Sequence, residues 1–313
     1  MRVMVAYDGS PGASRARDLL AGLDLPAGSS ITLVTVLEQA LDVLGVQGFT
    51  DGSGSAEADA LLIAELQSML AAAAAGLPRT YRVDTRVIRG RPATSLLDEA
   101  ELMRPDLIVV GNRGHGPFAS ILLGSVSTEL VDHAACPVLV ARRSKIERVV
   151  IGTDGSDSAR HAVQVVNSWP WLASVPMIVT AVAPRTESWA TALSPALVAE
   201  WPEALGDMDR QAEAQARRTA EEATRQLAEA GRSATAEVRC GDAADQLIAV
   251  ADSRNADLIV VGSRGLTAWS RLLLGSVARK IVLHARQSVL VVRDATQQVP
   301  ASEPTRGESL TVV

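Results

Sequence analysis

The hexapeptide D-L-I-V-V-G occurs at residues 106–111 and again at 257–262. The residues that follow align without a gap, and 13 of 21 positions are identical at a constant offset of 151. Self-similarity on this scale constrains the fold more than any composition figure, because each copy must be a unit that recurs. The likeness extends to the N-terminus, where R-V-M-V-A-Y-D-G-S is matched by R-V-V-I-G-T-D-G-S from Arg148. Asp8 and Asp154 are 146 apart, so the second copy gains five residues before the offset settles.

The chain therefore reads as one unit written twice. After each first strand, further short apolar runs fall at 31–37, 81–88, 107–110 and 137–140 in the first half. Their counterparts are 176–183, 233–239, 258–261 and 288–292. Between them lie helical patterns at 15–21, 56–75, 94–103 and 125–134, then 158–169, 203–230, 243–254 and 276–285. Continuous Val, Ile and Leu runs alternating with amphipathic helices predict a parallel sheet covered on both faces. The expected fold class is α/β, with two repeated doubly wound five-stranded parallel-sheet domains, flavodoxin-like in size. The expected domains are residues 1–143 and 146–293, joined by a short charged linker. Residues 39–55 are rich in Gly, Asp and Ser and read as a loop. The tail at 294–313 has no apolar period and reads as disordered. All five Trp lie in the second half, so the two units differ on the outside.

Composition narrows the function classes. A net charge of −6 offers no basic patch, so no nucleic-acid or acidic-membrane partner is expected. No apolar run approaches the ~20 residues of a membrane span. Met1 leads directly into a strand-like run with no signal-peptide pattern, so a cytoplasmic location is expected. Cys136 and Cys240 fall at different points of the repeat and read as small hydrophobes rather than a disulfide or zinc pair.

The chemistry gathers where a doubly wound sheet reverses its winding. Ligands bind there, outside the carboxyl ends of the strands. Strand one ends at Asp8 or Asp154, and strand four at Gly111 or Gly262, so the two motifs of each half meet at one crevice. After strand four the spacing is G-x-x-G, nine residues, G-S. It is Gly111, Gly114, Gly124 and Ser125 in the first half, and Gly262, Gly265, Gly275 and Ser276 in the second. Glycines permit positive φ and close approach of backbone N–H groups to a ligand. The G-S pair opens a helix whose free N–H groups favour an anion. The serine hydroxyl can donate to a phosphate oxygen or cap the helix. Hydrogen bonds to a charged group contribute roughly 1.5–3 kcal/mol each. Four of them give about 6–12 kcal/mol gross, against about 8 kcal/mol net for micromolar binding. Phosphate contacts alone are marginal, so a base pocket is needed. Val36 and Val182 are placed to wall one, and Asp8 and Asp154 can accept from ribose or base, although both acids can equally serve the turn alone. Arg113 and Arg264 recur in the two loops, while His115 has no counterpart. Tyr7 stands where the second half has Thr153, and its bulk is expected to narrow the first crevice.

These residues and spacings carry a resemblance. The doubled unit is similar to the universal stress protein family in its tandem, ATP-binding form. The resemblance implies ATP as ligand, with or without Mg²⁺, one crevice per domain, and a regulatory or sensing role in stress. It implies that Asp8 and Asp154 contact ribose or adenine, and that Val36 and Val182 contact the base. It places Gly111, Gly114, Gly124, Ser125 and Val126 along the phosphates, and Gly262, Gly265, Gly275, Ser276 and Val277 in the second half. It also implies that the units pair through their fifth strands, within one chain here. Further pairing of whole chains into a homodimer stays open.

Catalytic motifs are missing. There is no G-x-x-x-x-G-K-[ST], no G-x-G-x-x-G after the first strand and no G-x-S-x-G. His133, His161 and His284 lie on helical patterns away from the loops, and no metal-ligand spacing occurs. No catalytic residue is assigned, and a dedicated enzyme is not expected. The readings that remain are a nucleotide-dependent switch or sensor, a slow ATPase switch, and a scaffold that keeps the fold without a nucleotide.

Overall fold

The computed structural model describes residues 1–38, 54–112, 114, 123–185, 202–265 and 274–293. The first half runs β1 (Arg2–Ala6), α1 (Pro11–Ala21), β2 (Ser30–Leu37), α2 (Gly54–Ala75), β3 (Arg82–Arg89), α3 (Pro92–Met103), β4 (Leu107–Gly111), α4 (Ser125–His133) and β5 (Val138–Ala141). The second runs β6 (Val149–Gly152), α5 (Asp157–Ser168), a 3₁₀ turn (Pro170–Leu172), β7 (Met177–Ala183), α6 (Pro202–Glu229), β8 (Ala234–Cys240), α7 (Ala243–Ser253), β9 (Leu258–Gly262), α8 (Ser276–His284) and β10 (Ser288–Val292).

α1 begins four residues ahead of the expected 15–21. The reason is local. Ser10 caps the helix by accepting from the Ala13 N–H at 3.1 Å, and Pro11 supplies a preset φ at the first helical position. Ser156 does the same for α5 through the Ala159 N–H.

Two five-stranded sheets were expected, and they merge. The order is β3-β2-β1-β4-β5-β10-β9-β6-β7-β8, a single ten-stranded sheet. Every neighbouring pair is parallel except β5–β10, which runs antiparallel with Leu139 opposite Leu290. The merger removes the apolar edge that each half would otherwise present to solvent. The edges that remain, β3 and β8, carry charge: R-V-D-T-R-V-I-R and A-T-A-E-V-R-C.

The sheet separates two cores. One face buries Val3, Val5, Leu33 and Val260 beneath α1, α2, α5 and α6. The other buries Met4, Ile108, Val140 and Ile259 beneath α3, α4, α7 and α8. Strands covered on both sides have no polar face, which is why their sequences are continuous rather than alternating. At the seam, Asp132 of α4 takes both oxygens to Arg279 of α8, at 2.9 and 3.0 Å. The matched positions, Thr128 and Leu283, cannot form that pair, so the two halves are not equivalent there.

Candidate functional site

In each half β1 or β6 lies between its β2-type and β4-type neighbours, so the winding reverses beside it, as expected. A cavity of 670 Å³ opens at that point in the first half. It is lined by Asp8, Val36, Gly111, Gly114, Gly124, Ser125 and Val126, every candidate residue of that half. Arg113, His115 and Gly116, with Leu266 and Thr267 of the second loop, lie outside the described residues.

Asp8 combines both readings of it. Oδ1 accepts from the Ser10 N–H at 3.0 Å, a turn role. Oδ2 faces the loop: a Cβ added to Gly114 would stand 2.5 Å from it. Asp154 repeats the arrangement, with Ser156 N–H at 2.9 Å and Gly265 at 2.7 Å by the same measure. Residues 106 positions apart in the first half and 111 in the second thus share one wall of each crevice.

The motif glycines act through space rather than positive φ. Gly124 and Gly275 have φ of −72° and −64°. Positive φ belongs instead to Gly9 and Gly155 of the D-G-S turns, at 79° and 77°. Gly111 is required because a Cβ there would meet backbone, 2.4 Å from the Gly12 carbonyl carbon. The Gly124 N–H is committed to the Asn112 carbonyl at 2.9 Å, and the Gly275 N–H to the Ser263 carbonyl at 2.8 Å. Each bond closes the base of the nine-residue excursion. The donors that remain for an anion to use are the N–H groups at the start of α4 and α8, neither of which has a side-chain cap. The Ser127 hydroxyl, which the motif does not include, donates to the Gly111 carbonyl at 2.7 Å and ties α4 to β4.

Tyr7 is itself among the residues that line the crevice. Its side chain is buried with the α1-side core, and its hydroxyl lies 3.4 Å from Ser14 Oγ.

Several lining residues were not among the candidates: Thr35, Glu38, Arg91, Thr94 and Glu129. A signal existed. At the offset of 151, Arg91, Thr94 and Glu129 match Asp242, Asp245 and Lys280, an exchange of charge at two positions. In the second half this trio is joined: Lys280 Nζ lies 3.1 Å from Asp242 and 2.8 Å from Asp245. The Asp245 N–H, then Lys280, hold the Asp242 carboxyl below its ordinary range. Asp242 caps α7, whereas the start of α3 has no side-chain cap.

A smaller cavity, 340 Å³, lies on the opposite face between α5 and α6. Its arginines have local partners, Arg160 with Asp157 and Arg218 with Gln215. Among the described residues no group of His, Cys, Asp and Glu could hold a metal ion, and no helix is long and apolar enough to cross a membrane. Burial, then the Asp106 carboxylate, pushes the Cys136 thiol up to about 12. Since only the thiolate is nucleophilic, Cys136 is expected to stay unalkylated by iodoacetamide at pH 8 while the chain is folded, and to react once it is denatured. Peptide mass mapping of both states checks this.

The Universal stress protein family model matches the chain twice, over residues 1–142 and 145–293. The chain belongs to the universal stress protein family. Both copies of this stress-response unit lie in tandem on one polypeptide. A universal stress protein of Thermus aquaticus is 36% identical over 140 residues, 45% of this chain and 97% of that protein. One from Mycobacterium tuberculosis strain H37Rv is 29% identical over 242 residues, 72% of this chain and 74% of that protein. Among solved structures, a universal stress protein from Archaeoglobus fulgidus superposes with a TM-score of 0.59 at 18% identity, covering 93% of this chain and 98% of that one. At that identity the likeness speaks for the fold alone.

Proposed function

We propose that this universal stress protein binds ATP, one molecule in each of the crevices of residues 1–143 and 146–293, and acts as a nucleotide-dependent switch or sensor in the stress response. One observation carries the reading: a carboxylate, a glycine with no room for a side chain and an uncapped helix start converge in a 670 Å³ crevice. Nucleotide-sized ligands occupy cavities of roughly 300–1,000 Å³. The three features sort naturally along one ligand. Asp8 accepts from ribose or base, Val36 packs on the base, and the N–H groups of Ser125, Val126 and Ser127 meet the phosphates. Asp154, Val182, Ser276 and Val277 repeat these roles in the second half. A Mg²⁺ ion would be held chiefly by the phosphates and water, as this cation prefers. Pairing of the halves through β5 and β10 is the proposed state in solution.

The test is direct. Freshly purified protein is denatured and the released nucleotide identified by chromatography, with ATP–Mg titrated into the stripped protein in parallel. ATP at up to one molecule per crevice is expected. No released nucleotide together with no binding of ATP–Mg would overturn the reading and leave the scaffold.

A further inference from the structure

The two phosphate-side helices are finished by each other's half. Four carbonyls at the end of any helix lack an intrahelical donor. In α4 the Leu130 carbonyl is met by the Ala134 N–H, within its own half. The next two are met from across the seam: Arg293, just past β10, donates to the carbonyls of Val131, at 2.9 Å, and Asp132. α8 is treated the same way. Ala285 N–H meets Ile281, and Arg142, just past β5, donates to one carbonyl of the helix, that of Val282, and to that of Gln287 in the turn before β10. Arg142 and Arg293 are themselves matched at the offset of 151, as are Val131 and Val282. The crossing is therefore a two-fold device, not a single contact.

Resting on the nucleotide reading above, we propose that Arg293 and Arg142 are positioning residues that act crosswise, each holding the phosphate-side helix of the other half's crevice. α4 and α8 are only nine residues long. At 1.5 Å per residue such a helix spans about 14 Å, so a tilt of ~10° about its anchored end moves its first N–H groups by about 2 Å. A shift of that size breaks a hydrogen bond. A guanidinium at the C-terminus also complements the helix dipole, which favours the anion at the other end. The antiparallel register of β5 and β10 is what delivers each arginine to the opposite helix. Burial, then the neighbouring Arg264, pushes the Arg293 guanidinium down from its ordinary range.

The test uses the full chain with one crevice silenced at a time. Gly265→Val leaves the first crevice, and Gly114→Val leaves the second. Titration of ATP–Mg is expected to show that Arg293→Ala weakens the first crevice by about three- to tenfold, the scale of a charge at a helix end. It leaves the second within about twofold. Arg142→Ala gives the mirror result, and lysine at either position restores part of the loss. Hydrogen exchange supplies a readout that needs no nucleotide: Arg293→Ala speeds exchange in α4, and Arg142→Ala in α8. Own-half effects, or equal losses at both crevices, would overturn the crosswise assignment while sparing the nucleotide reading. ATP bound by neither the wild type nor either single-crevice variant would sink both.

Discussion

Gly114→Val is expected to lower ATP affinity at the first crevice by about 100-fold or more while the chain stays folded. The added Cβ would stand 2.5 Å from Asp8 Oδ2. That atom ends a flexible side chain, so the fold accommodates the change by moving the carboxylate. On the proposed nucleotide reading the ligand cannot, because the moved carboxylate would no longer meet it and the new methyl groups would stand beside its phosphates. Two lost hydrogen bonds to charged groups come to roughly 3–6 kcal/mol, which is two to four decades in affinity at about 1.4 kcal/mol each. Gly265→Val should act alike on the second crevice, where the corresponding gap is 2.7 Å. Isothermal titration of each variant with ATP–Mg, beside a thermal melt, checks both halves of the statement. Binding at the wild-type level in both variants would remove the phosphate role from this loop. Gly111 would make a poorer test, because its Cβ meets the Gly12 backbone and the fold itself would have to shift.

Leu139→Ala and Leu290→Ala should each destabilise the chain by about 2–5 kcal/mol, the usual range for a buried leucine. The two residues are register partners across the seam, and both are fully buried. Because they line one space, the double variant should lose less than the sum. The shortfall should be roughly 0.5–3 kcal/mol, the range seen for residues in contact. Urea denaturation of the four proteins supplies the cycle. Losses that add to within about 0.5 kcal/mol would mean that the two leucines do not meet in solution. The halves would then pair some other way.

How much of this was legible beforehand differs from residue to residue. Asp8, Gly111, Gly114 and Ser125 could be placed together from spacing alone, since a doubly wound sheet forces the ends of β1 and β4 to adjoin. The helix start at Pro11 was readable from Ser10 but was set four residues late, because the pattern of apolar residues was read from a turn after the cap; the start at Asp157 was placed within one residue. Arg91 and Glu129 escaped notice because neither belongs to a motif. Only comparison of the two halves at matched positions exposes their exchange with Asp242 and Lys280. The assignment of positive φ to the motif glycines erred for a different reason. A glycine's need for room depends on what packs against it, and at Gly111 that is a helix from a hundred residues away.

The repeated unit, its strands and helices, and the convergence of D-G-S with the glycine loop could all be read along the chain. These follow from local periodicity and from one topological rule, both of which are written along the chain. What packing added is that β5 meets β10 antiparallel with Leu139 opposite Leu290, that Tyr7 is buried with the α1-side core, that Gly124 gives its N–H to Asn112, and that Arg142 and Arg293 cross the seam. Each of these depends on which distant backbone lies within a few ångströms. Spacing within a strand or helix does not encode such distances; the packing of whole elements fixes them.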